Sequence, residues 1–121
     1  MATDAAVSPH FKKSEFACRC GCGFYAPVPA LIYLLEAVRE RFGKPVIVRS
    51  ACRCEKHNKA VGGKANSRHL FGDAADIEVE GVHPAEVADY CESLVRERGG
   101  VGRYAGFTHV DTRGTRARWI A

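Results

Sequence analysis

Apolar side chains recur at helical spacing in two stretches of the chain. Between residues 29 and 42, Leu31, Leu34, Leu35, Val38 and Phe42 fall on one stripe, with Pro27 and Pro29 ahead of it and Gly43 and Pro45 behind it. Proline preorganises a first helical turn and glycine ends a last one, so the pattern predicts an amphipathic helix. Pro84 opens the second stretch, in which Val87, Tyr90, Cys91, Leu94 and Val95 share a face until Gly99 and Gly100. Cys91 is thereby directed at the core.

Elsewhere the pattern shortens to the period of a strand. Residues 46–49 are a β-branched run after a proline, read as a strand leading into Ser50 and then a turn or short helix over 52–61, ended by Gly62 and Gly63. Residues 74–79 and 107–111 alternate, each after a glycine-containing turn. Alternate residues of a strand share a face, so Asp76 lies opposite the apolar set Ala75, Ile77 and Val79. By the same count Phe107, His109 and Asp111 share a face, with Asp111 about 7 Å along the strand from His109. Helices and short strands that do not strictly alternate predict an α+β fold, a small antiparallel sheet flanked by helices.

The 121 residues suit one hydrophobic core, and a chain of this size buries roughly two-thirds of its unfolded surface. With 46% hydrophobic and 26% charged residues and no repeat or linker, the expectation is a single domain over residues 1–121, residues 1–8 being a flexible N-terminus. A monomer is expected. The net charge of +4 is mild and its cations are scattered, with only Arg113, Arg116 and Arg118 loosely grouped. This argues against a dedicated nucleic-acid binder. No run approaches the roughly 18 apolar residues of a membrane span, and residues 1–9 lack the pattern of a secretory signal. The chain is therefore expected to be made in the cytoplasm without membrane partners.

The candidate chemistry is in residues 67–76, where His69 and Asp76 flank Gly72, and in residues 108–111, where His109 comes from another strand. Two imidazoles and one carboxylate make a three-ligand set of the catalytic zinc type, leaving a tetrahedral ion one position for water. Water held there is acidified from a pKa of about 15.7 to about 7, and the ion keeps net positive charge with which to polarise a carbonyl. By spacing alone, a glycine turn beside a core histidine accounts for the same residues equally well.

The string Ser67-Arg68-His69-Leu70-Phe71-Gly72-Asp73-Ala74-Ala75-Asp76 resembles the Ser-x-His-x-x-Gly-x-Ala-x-Asp motif of the zinc D-Ala-D-Ala carboxypeptidases and related L-Ala-D-Glu endopeptidases of the cell wall. The similarity continues through residues 11–16, 50–58, 62–63 and 107–113 and at Trp119, and so covers nearly the whole chain. It implies the zinc fold shared with the signalling part of hedgehog proteins, and assigns one Zn2+ to His69, Asp76 and His109. Arg53 matches an arginine that grips substrate, which suits bidentate carboxylate recognition. Ser67 matches a serine at the substrate site, although it also suits a turn cap. The implied partner is a peptidoglycan stem peptide, reached at the wall after lysis release or export, as by an endolysin. Many relatives carry an acid or histidine three residues before the last ligand as the catalytic base, and here that residue is Gly106. Asp111 is the substitute candidate for base and proton shuttle. An ion pair of Asp111 with Arg113 or Arg49 competes with that role.

Cys18, Cys20 and Cys22 crowd into one loop, with Cys52 and Cys54 farther on. Disulfides between the two groups, each stabilising by about 2 to 4 kcal/mol, and reduced thiols are the leading readings. A second metal at Cys18, Cys20 and Cys22, with Cys52 or Cys54 as a further ligand, is the less favoured one. His57 and Asn58 are read as exposed, His10 and His83 as loop or capping residues, and Tyr104 or Phe71 as groove lining. Two functions compete with a peptidase: a zinc-stabilised module that binds wall peptide or a protein partner without cleaving, and, more weakly, a cysteine-metal module touching nucleic acid through the basic C-terminus.

Overall fold

The structure is a computed structural model that describes residues 4–121. A five-stranded sheet organises it, built from β3 (Val46–Ser50), β4 (Ala74–Val79), β5 (Gly100–Arg103), β6 (Thr108–Asp111) and β7 (Ala117–Ile120) in the order β3-β4-β6-β5-β7. Neighbours run antiparallel except β5 and β7, which are parallel. The chain is thus α+β as expected, and this larger sheet is antiparallel but for that one pair. The exception arises because residues 112–116 pass beneath the start of β5, tied there by Gly99 N to Arg113 O (2.9 Å) and Ala117 N to Gly99 O (3.0 Å).

Two helices cover one face. Helix α2 (Pro29–Phe42) starts with Pro29 in its first turn and ends at Gly43, whose φ of 64° is left-handed. Helix α4 (Pro84–Val95) is capped by the His83 ring, which accepts from Ala85 N at 3.1 Å. Leu31, Leu35 and Val38 of α2 and Val87, Ala88 and Cys91 of α4 are buried against Val48, Ala75, Ile77, Val79, Val101 and Val110 of the sheet. Each fully buried large aliphatic stabilises the fold by about 1.5 to 3 kcal/mol relative to exposure. The edge of Phe42 meets the ring of Tyr90 at 5.8 Å and joins the helices. Leu94, expected on the buried face, is 37% exposed because it sits at the rim of the stripe. No helix among the described residues is long and apolar enough to cross a membrane.

The N-terminal stretch expected to be flexible is placed over residues 4–8, while residues 1–3 lie outside the described residues. Strand β1 (Ala6–Ser8) pairs with β2 (Phe11–Lys12), followed by the short helix α1 (Lys13–Phe16). Phe11 and Phe16 pack edge to face at 5.8 Å and are buried, and Glu36 of α2 accepts from Ser8 Oγ and from His10 N (2.8 Å). Helix α3 (Glu55–Ala60) follows β3.

Candidate metal centre

One cross-strand row carries the site. Ser50 pairs with Asp76, Asp76 with His109, His109 with Gly102, and Gly102 with Trp119, so five neighbouring strands present these residues in line. The row lies on the face away from α2 and α4, since its strand neighbours Ala75, Ile77, Val101 and Val110 fill the core. Gly102 is required where it stands: a Cβ there would fall 2.4 Å from the Trp119 ring. With that space open, the Trp119 indole lies across the strand and reaches the His109 ring, with centroids 4.9 Å apart.

His69 reaches the row from a 3-10 turn, Arg68–Phe71. Ser67 caps the turn by accepting from His69 N at 3.3 Å, and Arg68 closes it through Nε and Nη2 hydrogen bonds to Asp73. Gly72, at φ 72°, supplies the left-handed exit expected of it, and a side chain there would strike the Ala26 carbonyl.

In the neutral state each ring carries one proton, and the neighbours of its nitrogens place it. His69 Nδ1 lies 2.7 Å from the Ala51 carbonyl, which only accepts, so Nδ1 carries the proton and Nε2 presents a lone pair. His109 Nε2 lies 2.8 Å from Asp111 Oδ2 and donates to it, leaving the lone pair on Nδ1. Both lone pairs face Asp76 Oδ1, at 3.3 Å from His69 Nε2 and 3.0 Å from His109 Nδ1. Three acceptors converging without a proton among them repel unless a cation joins them. A tetrahedral ion with bonds of about 2.0 to 2.1 Å holds its ligand atoms about 3.3 to 3.4 Å apart, close to the spacing seen. The donor set therefore fits a divalent metal, with His69 and Asp76 buried and His109 6% exposed.

Asp111 is fully buried and saturated. Besides His109 it accepts from Gly100 N (2.8 Å), Arg113 N (3.1 Å), Arg113 Nε (2.9 Å) and Arg113 Nη2 (2.7 Å). Of the two expected ion-pair partners Arg113 is the one present, while Arg49 pairs with Glu78 at 3.5 Å. Asp111 touches the nitrogen of His109 that points away from Asp76, and it does not line the cleft.

The cleft, about 470 Å³, opens over the three ligands and is walled by Arg53, Lys64, Ser67, Arg68, Tyr104, Arg113 and Trp119. Arg53 is 3.3 Å from Asp76 Oδ2 and is braced by Ser50 Oγ (3.1 Å) and Asn58 Oδ1 (3.2 Å). Asn58 corrects the reading of an exposed residue: it is 4% exposed, and its amide also donates to Lys64 O at 2.8 Å. Its place beside a histidine in a charged run hid a role that only folding reveals. Lys64 carried no signal either. Tyr104 lines the cleft as anticipated, stacked on Phe107 at 4.3 Å and accepting from Trp119 Nε1 at 3.0 Å. Phe71 does not, being 56% exposed with the Arg68 guanidinium over its ring.

None of the six cysteines forms a disulfide, so the bridges to Cys52 and Cys54 are absent. Cys52 is buried with its sulfur toward Ala26 N, while Cys54 joins Cys18, Cys20 and Cys22.

A zinc D-Ala-D-Ala carboxypeptidase of Streptomyces albus G is 43% identical over 47 residues, covering 38% of this chain and 18% of that relative. The chain thus spans only a small part of the length of the curated relative it matches. The profile of the family described as Peptidase M15 matches residues 9–111. That range takes in Arg53, Ser67, His69, Asp76 and His109 and most of the sheet that aligns them, and the chain belongs to the Peptidase M15 family.

Proposed function

We propose that the chain is a zinc-dependent peptidase that hydrolyses peptide bonds in peptidoglycan stem peptides, of the D-Ala-D-Ala carboxypeptidase or L-Ala-D-Glu endopeptidase type. The observation that carries this reading is the convergence of His69 Nε2, Asp76 Oδ1 and His109 Nδ1 at the floor of an open cleft, each ring held by a hydrogen bond from its other nitrogen. Zinc bound there acidifies water and polarises a carbonyl. The Ala51 carbonyl and the Asp111 carboxylate keep both imidazoles in the tautomer and orientation that ligation needs. Asp111 serves as a positioning residue and not as the base, because its oxygens are fully engaged away from the cleft.

The walls suit an anionic peptide. Arg53, Lys64, Arg68 and Arg113 face the cleft, and the stem peptide carries free carboxylates that a guanidinium binds bidentately. Ser67 Oγ stands ready to hydrogen-bond a peptide carbonyl or carboxylate beside them. The Tyr104 hydroxyl accepts from Trp119 and so keeps its own proton for donation toward a bound carbonyl.

A second reading, a zinc-stabilised module that binds wall peptide without cutting it, is favoured by one observation. Among the described residues the cleft lining holds no carboxylate other than Asp76. Incubation with purified peptidoglycan and with synthetic stem peptides separates the two. The peptidase releases free D-Ala or a new L-Ala carboxyl terminus, stops with a chelator and in His69→Ala, and resumes on adding zinc to the wild type. Peptide binding with no product at saturating zinc overturns the peptidase reading.

A further inference from the structure

The molecule carries a second group of metal-type ligands that the cleft chemistry does not use. The sulfurs of Cys18, Cys20, Cys22 and Cys54 all lie within 4.8 Å of one another. Three of the separations are 3.4 Å (Cys18 to Cys20), 3.8 Å (Cys18 to Cys54) and 3.7 Å (Cys20 to Cys54). A disulfide places its sulfurs about 2.05 Å apart, far inside these values. A zinc ion with four thiolates at about 2.3 Å holds sulfurs about 3.8 Å apart along each edge of its tetrahedron. A cluster of several irons spreads its cysteines wider than the group allows. We propose that Cys18, Cys20, Cys22 and Cys54 form a second, structural zinc site that clamps the N-terminal loop to the segment carrying Arg53.

The surrounding backbone is arranged for thiolates. Phe24 N points at Cys22 Sγ, Cys54 N at Cys18 Sγ and His57 N at Cys54 Sγ, each at 3.4 Å, so three amides donate to sulfurs of the group. Such donors favour the charged sulfur over the thiol. The chain turns at Gly21 (φ 81°) and Gly23 (φ 87°), both left-handed, which lets three alternate cysteines converge from a single loop. Arg19, between two of them, fastens the loop with hydrogen bonds to Ser14 O (2.8 Å), Glu15 O (2.9 Å) and Val48 O (2.7 Å). Four protein sulfurs close the coordination sphere and leave no place for water, so the site is structural and not catalytic. Its effect reaches the cleft through covalent neighbours: Cys54 adjoins Arg53, whose N donates to His69 O at 3.0 Å, and Cys52 N donates to Phe16 O at 3.0 Å.

Elemental analysis of the full chain purified with zinc tests this directly. Two zinc per chain are expected in the wild type, one in His69→Ala and one in Cys20→Ser/Cys22→Ser. Cobalt in place of zinc gives intense near-ultraviolet thiolate-to-metal absorption in wild type and His69→Ala, and none in the double serine variant. A measurement on the unaltered protein guards against misfolded variants. Cys20 and Cys22 are exposed, so a free thiol reagent should reach them at once; in the zinc-loaded protein they should stay unreactive until a chelator is added. One zinc per chain that vanishes in His69→Ala, equal thiol reactivity with and without chelator, or iron in the second position would each overturn the assignment. The outcome is independent of whether the cleft cuts peptide.

Discussion

Replacing Asp111 by asparagine separates an orienting carboxylate from a proton-moving one. The substitution keeps shape but turns one oxygen into an amide nitrogen. Oδ1 receives three donors, Gly100 N, Arg113 N and Arg113 Nε, whereas Oδ2 receives His109 Nε2 and Arg113 Nη2. The amide oxygen therefore settles at the Oδ1 position and the amide nitrogen faces His109 Nε2. That nitrogen donates, so the imidazole must accept there and carry its proton on Nδ1, the atom 3.0 Å from Asp76 Oδ1. A protonated Nδ1 has no lone pair for a metal. Loss of such a carboxylate partner lowers metal affinity about 10- to 100-fold, or about 1.4 to 2.7 kcal/mol. Competition titration of zinc against a chromophoric chelator measures this, with His69→Ala identifying which bound zinc belongs to the cleft. Affinity and turnover should fall together, and excess zinc should restore much of the activity. Wild-type zinc affinity with turnover lost even at saturating zinc would refute the argument, because that is how a missing base behaves.

Arg53→Lys keeps a charge but loses the planar fork, so KM for peptides with a free terminal carboxylate should rise about 10-fold or more, the worth of a hydrogen bond to a charged group. Amidated peptides should be nearly unaffected, and equal losses for both would count against carboxylate recognition. Leu35→Ala empties a fully buried position between α2 and the sheet, and urea unfolding should show a loss of about 2 to 5 kcal/mol. Glu36 anchors the β1–β2 ribbon; burial pushes its carboxyl up, but hydrogen bonds from Ser8 and His10 outweigh that and hold it below its ordinary value of 4.5. A lowered folded-state value means stabilisation that is present above pH 4.5 and lost as pH falls through the lowered value. Amide exchange across Ala6–Ser8 should accelerate in that acid window, and Glu36→Gln should remove the pH dependence.

Elements with a long periodic signal were legible in the sequence to the residue or nearly so. Both main helices and β4 follow from runs whose apolar stripe meets the core, whereas residue type and spacing offered His69, Asp76 and His109 only as one of two equal readings, and the resemblance assigned them as ligands. Strand β5 was not legible, because Gly99 and Gly100 read as a helix stop and nothing in residues 100–103 shows strand alternation. Its strand conformation comes from neighbours on both sides, β6 and β7. Strands β1 and β2 are too short to show alternation. Asp111 shows a different limit of local pattern. The period of two places it on the face of His109, but only the assembled site reveals which ring nitrogen it meets. Asn58 belongs with it, since its bond to Arg53 depends on how α3 leaves Cys54.

The spacing of the row along the chain has a consequence for biosynthesis. His69 and Asp76 leave the ribosome close together, but His109 follows only after α4, and Trp119 on β7 comes last. A nascent chain that ends before β6 exposes a half-site of two ligands, which binds zinc far less firmly than three. A metal held at this site would thus meet its third ligand only once β6 has been made, and an abortive product lacking that strand would carry two of the three.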